Sequence, residues 1–118
     1  MLGCALGPYK VTFMFVQDRR RELPDHFLAL ANPTRLRIIE RLAQVREENV
    51  NDLARYLRMS QPRISWHLRM LRLGGVIRTR KDGRQVYCSI DFDNIARKRR
   101  EFEGMLGIRS KVREEIGA

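Results

Sequence analysis

The strongest constraint on this chain lies between Asn49 and Ile90, where two short amphipathic segments meet at a tight polar turn and run directly into a β-rich pair. Asn49-Val50 reads as a short extended link, and Asn51 as the cap of a helix that packs through Leu53, Ala54 and Leu57. Arg58-Met59 supplies the turn. Ser60 caps the next helix, with Pro62 in its first turn, Ile64, Leu68 and Leu71 as its apolar stripe, and Gly74-Gly75 as its stop. Residues 76–81 and 84–90 read as strands joined through Asp82-Gly83, a short-range hairpin signal. Two helices separated by so short a turn form an angular pair.

Upstream, Phe27, Leu28 and Leu30 recur at helical spacing between Pro24 and Asn32, with Pro24 suited to a first turn. Asn32-Pro33 then reads as a cap and first helical position for a second helix with Leu36, Ile39, Leu42 and Ala43 on one face. Downstream, Ile95, Phe102, Met105, Leu106, Val112 and Ile116 mark a final amphipathic helix whose continuity Gly104 and Gly107 put in question. At 118 residues the chain has room for one core. The expected organisation is an N-terminal arm over 1–22, a winged helix-turn-helix over 23–91 and a C-terminal helix over 92–118, all within one compact domain. The fold class is mainly α with a β-hairpin wing.

Charge narrows the class of partner. Lys and Arg total 24 against 14 Asp and Glu, a formal net charge of +10. A field of that sign attracts polyanions, because neutralised phosphates release counterions. Between residues 60 and 84 seven cations face the single acid Asp82, so the excess is concentrated on the predicted second helix and hairpin. With Ile64, Leu68 and Leu71 buried, helical geometry turns Pro62, Arg63, Ser65, Trp66 and Arg69 outward, with Ser60 and Gln61 at the exposed start. Gln pairs with adenine, Arg with guanine and Ser with either kind of edge, which singles out Gln61, Arg63 and Ser65 for base contacts. Arg78, Arg80, Lys81 and Arg84 on the wing suit phosphates or the minor groove. Trp66 suits either a sugar contact or packing within the chain, and His67 a packed or capping role. The run Arg97-Lys98-Arg99-Arg100 reads as a solvated helix face.

Other chemistries find little purchase. There is no Gly-rich phosphate loop and no nucleophile with a plausible base, so the expectation is a protein that is not an enzyme and needs no cofactor. Two cysteines, Cys4 and Cys88, match no zinc or disulfide spacing and suit a reducing cytoplasm. The apolar residues near the start are broken by Gly7, Pro8 and Lys10, too interrupted for a membrane helix.

The order Ala29-Leu30-Ala31-Asn32-Pro33-Thr34-Arg35-Leu36-Arg37-Ile38-Ile39, Asp52-Leu53-Ala54, Ser60-Gln61-Pro62-Arg63-Ile64-Ser65-Trp66-His67-Leu68 and Leu71-Arg72-Leu73-Gly74-Gly75-Val76-Ile77 resembles the ArsR family of winged-helix repressors. The resemblance runs from about Phe27 to Ile90. It implies a homodimer using the first and last helices, with Phe27, Leu30, Phe102, Leu106 and Val112 as dimer or core residues, and an inverted-repeat operator in double-stranded DNA released on binding an effector. It names no effector for this chain. Metal-sensing members carry Cys-Val-Cys where this chain has Asn49-Val50-Asn51, and the only histidines, His26 and His67, lie off the last helix, so no metal site is expected. A sensor built on Cys4 and Cys88 is a further reading, against which Cys88 falls on the inward phase of its strand with Val86 and Ile90. The rival functional reading is a winged helix serving as a protein-interaction or RNA-binding module.

Overall fold

The computed structural model describes residues 19–108. Among them are five helices and three strands: α1 (Arg19–Leu30), α2 (Pro33–Val45), β1 (Glu47–Asn49), α3 (Val50–Leu57), α4 (Gln61–Leu73), β2 (Ile77–Asp82), β3 (Gln85–Ile90) and α5 (Phe92–Leu106). Val112 and Cys4 lie outside the described residues.

Local chemistry sets most of the boundaries. The Asn32 side chain accepts the Arg35 amide at 3.1 Å and Pro33 occupies the first helical position, where its missing N–H costs nothing. Arg58, with φ of 58°, ends α3 in the left-handed region, and its turn leads to Ser60, the cap of α4. The hairpin register pairs Asp82 with Gln85, leaving Gly83-Arg84 as the two-residue loop. Gly83, at φ of 65°, supplies the positive dihedral that such a loop needs in its first central position, one residue later than the sequence suggests. The last helix runs through Gly104 and stops at Gly107, which takes the left-handed conformation at φ of 75°.

Several expectations are corrected. Arg19 to Glu22, read as the end of the arm, belong to α1, which accommodates Pro24 in its interior rather than starting there. The cap of α3 is Asn49, whose side chain accepts the Asp52 amide at 2.8 Å, and not Asn51. The link before it is a true strand: β1 pairs antiparallel with β3, giving a three-stranded sheet in the order β1-β3-β2 instead of a bare hairpin.

The core is one cluster between the helices and the sheet. Ile38 and Leu42 of α2, Leu53 and Leu57 of α3, and Ile64, Leu68 and Leu71 of α4 meet Val76, Ile77, Cys88 and Ile90. Fully burying one such aliphatic side chain is worth about 1.5–3 kcal/mol. Most of α4 is therefore fixed on its inner side, leaving the opposite faces for other work.

A second clasp holds the end of α4. His26 of α1 donates from Nδ1 to the Gly74 carbonyl at 2.7 Å, and Asn94 of α5 donates from Nδ2 to the Gly75 carbonyl at 2.8 Å. Lys98, in the run read as solvated, is instead buried, with its ammonium 2.7 Å from the Glu22 carboxylate of α1 and 3.5 Å from Glu101. A buried ammonium needs such partners, and these join α1 to α5.

Candidate nucleic-acid interface

The helical period places Gln61, Ser65, Arg69 and Arg72 on one side of α4, and this side faces the wing across an open cleft of about 420 Å³. Thr79, Lys81, Arg84 and Gln85 form the opposite wall, Leu68, Val86 and Cys88 contribute apolar lining, and Val50 and Asn51 of α3 complete it. The lining joins four cations with amide and hydroxyl groups that both donate and accept. Among the described residues, no ion pair engages Arg69, Arg72, Lys81 or Arg84. All four are exposed, so their charge is directed to solvent.

The seven helix residues singled out from sequence thus divide. Gln61, Ser65 and Arg69 enter the cleft. Ser60 is the cap, its hydroxyl oxygen accepting the Arg63 amide at 3.4 Å. Pro62 and Trp66 are exposed on the outer face, Trp66 at 55%. Arg63 is exposed on the flank nearer His67. His67 is packed as expected, with Nδ1 buried. Burial first, and then the Arg35 and Arg63 charges, hold its imidazole below the ordinary histidine range, so it rests neutral.

The wing residues divide as well. Lys81 and Arg84 line the cleft, whereas Arg80 is bound to the Glu47 carboxylate through Nε at 3.1 Å and Nη2 at 2.8 Å. Arg78 approaches Asp91 at 3.8 Å. Arg72, Thr79 and Gln85 were not singled out from sequence. Arg72 carried a usable signal, since it extends the row from Gln61 through Ser65 and Arg69 by three further residues.

Cys88 is fully buried, and burial pushes its thiol up to about 11, with Glu47 adding to the shift. The thiolate that metal binding and oxidation require is therefore strongly disfavoured. Among the described residues no three His, Cys, Asp or Glu side chains converge to hold a metal ion, and no helix is long and apolar enough to cross a membrane.

On the far side, α1 and α5 present a different surface. Phe27 and Phe102 meet edge to face at 5.2 Å, yet each is 40% exposed, and Met105 and Leu106 are more exposed still. Leu30 packs against the core instead of joining them.

Comparison with known proteins gives a consistent set of relatives. Residues 32–79 match the family model described as bacterial regulatory protein, arsR family. The chain is 36% identical over 84 residues to a transcriptional repressor SmtB homolog from Synechocystis, an alignment covering 71% of this chain and 63% of that protein. It thus spans less than two thirds of that relative's length. Among solved structures, it is similar to the crystal structure of an ArsR family transcriptional regulator, with a TM-score of 0.63 and 30% identity over 82% of this chain and 95% of the other. It is also similar to the solution structure of a homodimeric winged helix-turn-helix DNA-binding domain from Mycobacterium bovis, with a TM-score of 0.61 and 26% identity over 92% of each chain.

Proposed function

The chain belongs to the ArsR family of bacterial regulatory proteins, and from that premise we propose that it represses transcription by binding double-stranded DNA as a homodimer. The observation that carries this reading is the cleft between α4 and the wing, where Arg69, Arg72, Lys81 and Arg84, which make no ion pair among the described residues, stand beside Gln61 and Ser65. A phosphate backbone satisfies the cations, while a major groove offers base edges that amide, hydroxyl and guanidinium groups can distinguish. Gln61, Ser65 and Arg69 are assigned to bases, with Arg63 and Trp66 on the adjoining face toward the sugar-phosphate edge. Arg72, Lys81 and Arg84 are assigned to phosphates, and the amides opened at Ser60 to a further one.

Pairing follows from the apolar surface of α1 and α5. Phe27, Phe102 and Leu106 leave 40%, 40% and 56% of their surface uncovered in one protomer, and a two-fold partner would cover the same side chains in return. Two copies of α4 would then occupy successive major grooves of an inverted repeat, about 34–36 Å apart.

Selection of duplexes from a random pool, followed by binding titrations at several salt concentrations, tests this reading. Arg72→Ala is expected to weaken the selected duplex about tenfold and to lower the salt slope by about one. Arg97→Ala, on the exposed face of α5, should change affinity less than about twofold. Equal effects of the two variants, or tighter binding to structured RNA than to any duplex, would refute it.

A further inference from the structure

Strand β1 contains two adjacent glutamates, and successive strand residues point to opposite faces. Glu48 turns to the helices. Its carboxylate accepts from Arg41 Nε at 2.9 Å and Nη2 at 2.8 Å, and the Arg41 guanidinium lies 3.9 Å from the centre of the Tyr56 ring, so β1, α2 and α3 are joined. Glu47 turns to the wing. It takes both donors of Arg80 in the same forked geometry, and that guanidinium lies 4.7 Å from the centre of the Tyr87 ring. Arg80 and Tyr87 are cross-strand partners in the hairpin, and Glu47 itself pairs with Ser89 on β3.

Glu47 and Arg80 lie on the face of the sheet opposite the cleft, since their partners on β3, Ser89 and Tyr87, alternate with the cleft-lining Val86 and Cys88, so the pair calls for a role other than lining it. The wing supplies a reason for one. Beyond Ile77 every residue of β2 is exposed, and a Cβ added at Gly83 on the tip would touch nothing, so β2 itself contributes no buried side chain to hold this part of the hairpin. Its only polar side-chain tether to the rest of the molecule among the described residues, apart from the close approach of Arg78 to Asp91, is the Glu47–Arg80 pair. Both partners record the contact: the Arg80 hydrogen bond holds the Glu47 carboxyl below its usual range, and Glu47 in turn raises Arg80.

We propose that β1 is a two-sided bracket, in which Glu48 anchors the strand to the helices while Glu47 and the Tyr87-backed Arg80 set the angle of the wing so that Lys81 and Arg84 face the same duplex as α4. Arg80 and Glu47 are then positioning residues. Arg80, a candidate DNA contact on charge alone, acts through Lys81 and Arg84. This inference rests on the DNA-binding reading for its consequence, but the bracket itself is a property of the free protein.

Amide hydrogen exchange on the free chain tests the bracket first. An exposed forked pair of this kind is worth enough to speed local opening roughly two- to fivefold when lost. In Glu47→Gln, peptides spanning 79–86 should exchange faster by that factor while those spanning 61–73 keep the wild-type rate. Arg80→Lys, which preserves charge but not the fork, should behave alike. Unchanged exchange in the wing would overturn the proposal. On a duplex selected by the wild-type protein, Lys81→Ala should cost at least about twofold less in the Glu47→Gln background than in the wild type, because a slack wing no longer delivers Lys81. Additive losses would overturn the positioning role, as would tighter binding of Glu47→Gln with a salt slope steeper by about one, the signature of an unmasked Arg80 reaching a phosphate. If the wild-type chain selects no duplex, the DNA-binding reading fails, and the exchange result alone decides whether the bracket holds the wing.

Discussion

The two ends of α4 are held in opposite ways. At its C-terminal end the Gly74 and Gly75 carbonyls are gripped by His26 and Asn94 from two different helices, and neither glycine has room for a side chain: a Cβ on Gly74 would press on Ala29 and one on Gly75 would fall on the Asn94 carboxamide. At its N-terminal end the Ser60 cap is long at 3.4 Å, and Gln61, Pro62 and Arg63 are all exposed. The same helix is thus anchored at its base and left open at its tip. Two of the three proposed base-reading residues, Gln61 and Ser65, sit toward the open end, where a ligand can approach, while the anchored end is tied to the α1 and α5 elements proposed to pair. Direction is set at one end and used at the other.

Substitutions at two of the glycines of positive φ, Gly75 and Gly83, probe this contrast most strongly. Gly75→Ala forces a side chain into the left-handed region, φ of 74°, against a packed neighbour, and should lower stability by about 2–4 kcal/mol in urea denaturation. Gly83→Ala meets the same kind of backbone restriction in open space and should cost only about 1–2 kcal/mol. Equal costs would mean the clasp around Gly75 is no tighter than a free hairpin tip. At the open end, Ser60→Ala should cost less, about 0.5–1 kcal/mol, because it removes a single long capping bond. A larger loss than at Gly75 would reverse the comparison.

A smaller effect sharpens the picture along the helix flank. His67 is kept neutral in the fold by burial and by Arg35 and Arg63, so the unfolded chain takes up a proton before the folded one does. The stability His67 contributes is present above its ordinary value of 6.5 and is lost as pH falls below it. His67→Gln should therefore show a smaller drop in melting temperature than the wild type between about pH 7.5 and about pH 5.5. An identical drop would show that another group controls the acid limb.

What could be read from sequence was what local chemistry determines. Asn32-Pro33, Ser60 and Gly74-Gly75 mark helix ends through their own hydrogen-bonding and dihedral preferences, and the alternation of Val86, Cys88 and Ile90 identified the inner face of β3. The misreadings came from partners distant in the chain. A three-residue strand of polar residues has no period to detect, and β1 exists because β3 pairs with it. The sequence points to Asn51 as the cap of α3, but β1 ends at Asn49, two positions earlier, and Asn49 caps the helix instead. Lys98 looked solvated within its basic run because its partner Glu22 lies 76 positions away. Arg80 and Glu47, 33 positions apart, joined for the same reason, which removed one cation from the set that charge alone had assigned to the ligand. Family resemblance implied a role for Phe27 and Phe102, and their shared exposed face on α1 and α5 keeps that expectation in view as a proposal.

Titration of the isotope-labelled chain with its selected duplex, followed residue by residue in amide NMR spectra, addresses the central claim most directly. The account predicts that the largest shifts fall together on Gln61, Ser65, Arg69 and Arg72 of α4 and on Lys81 and Arg84 of the wing. Shifts concentrated on α1 and α5, with both walls of the cleft left at their free positions, would contradict it.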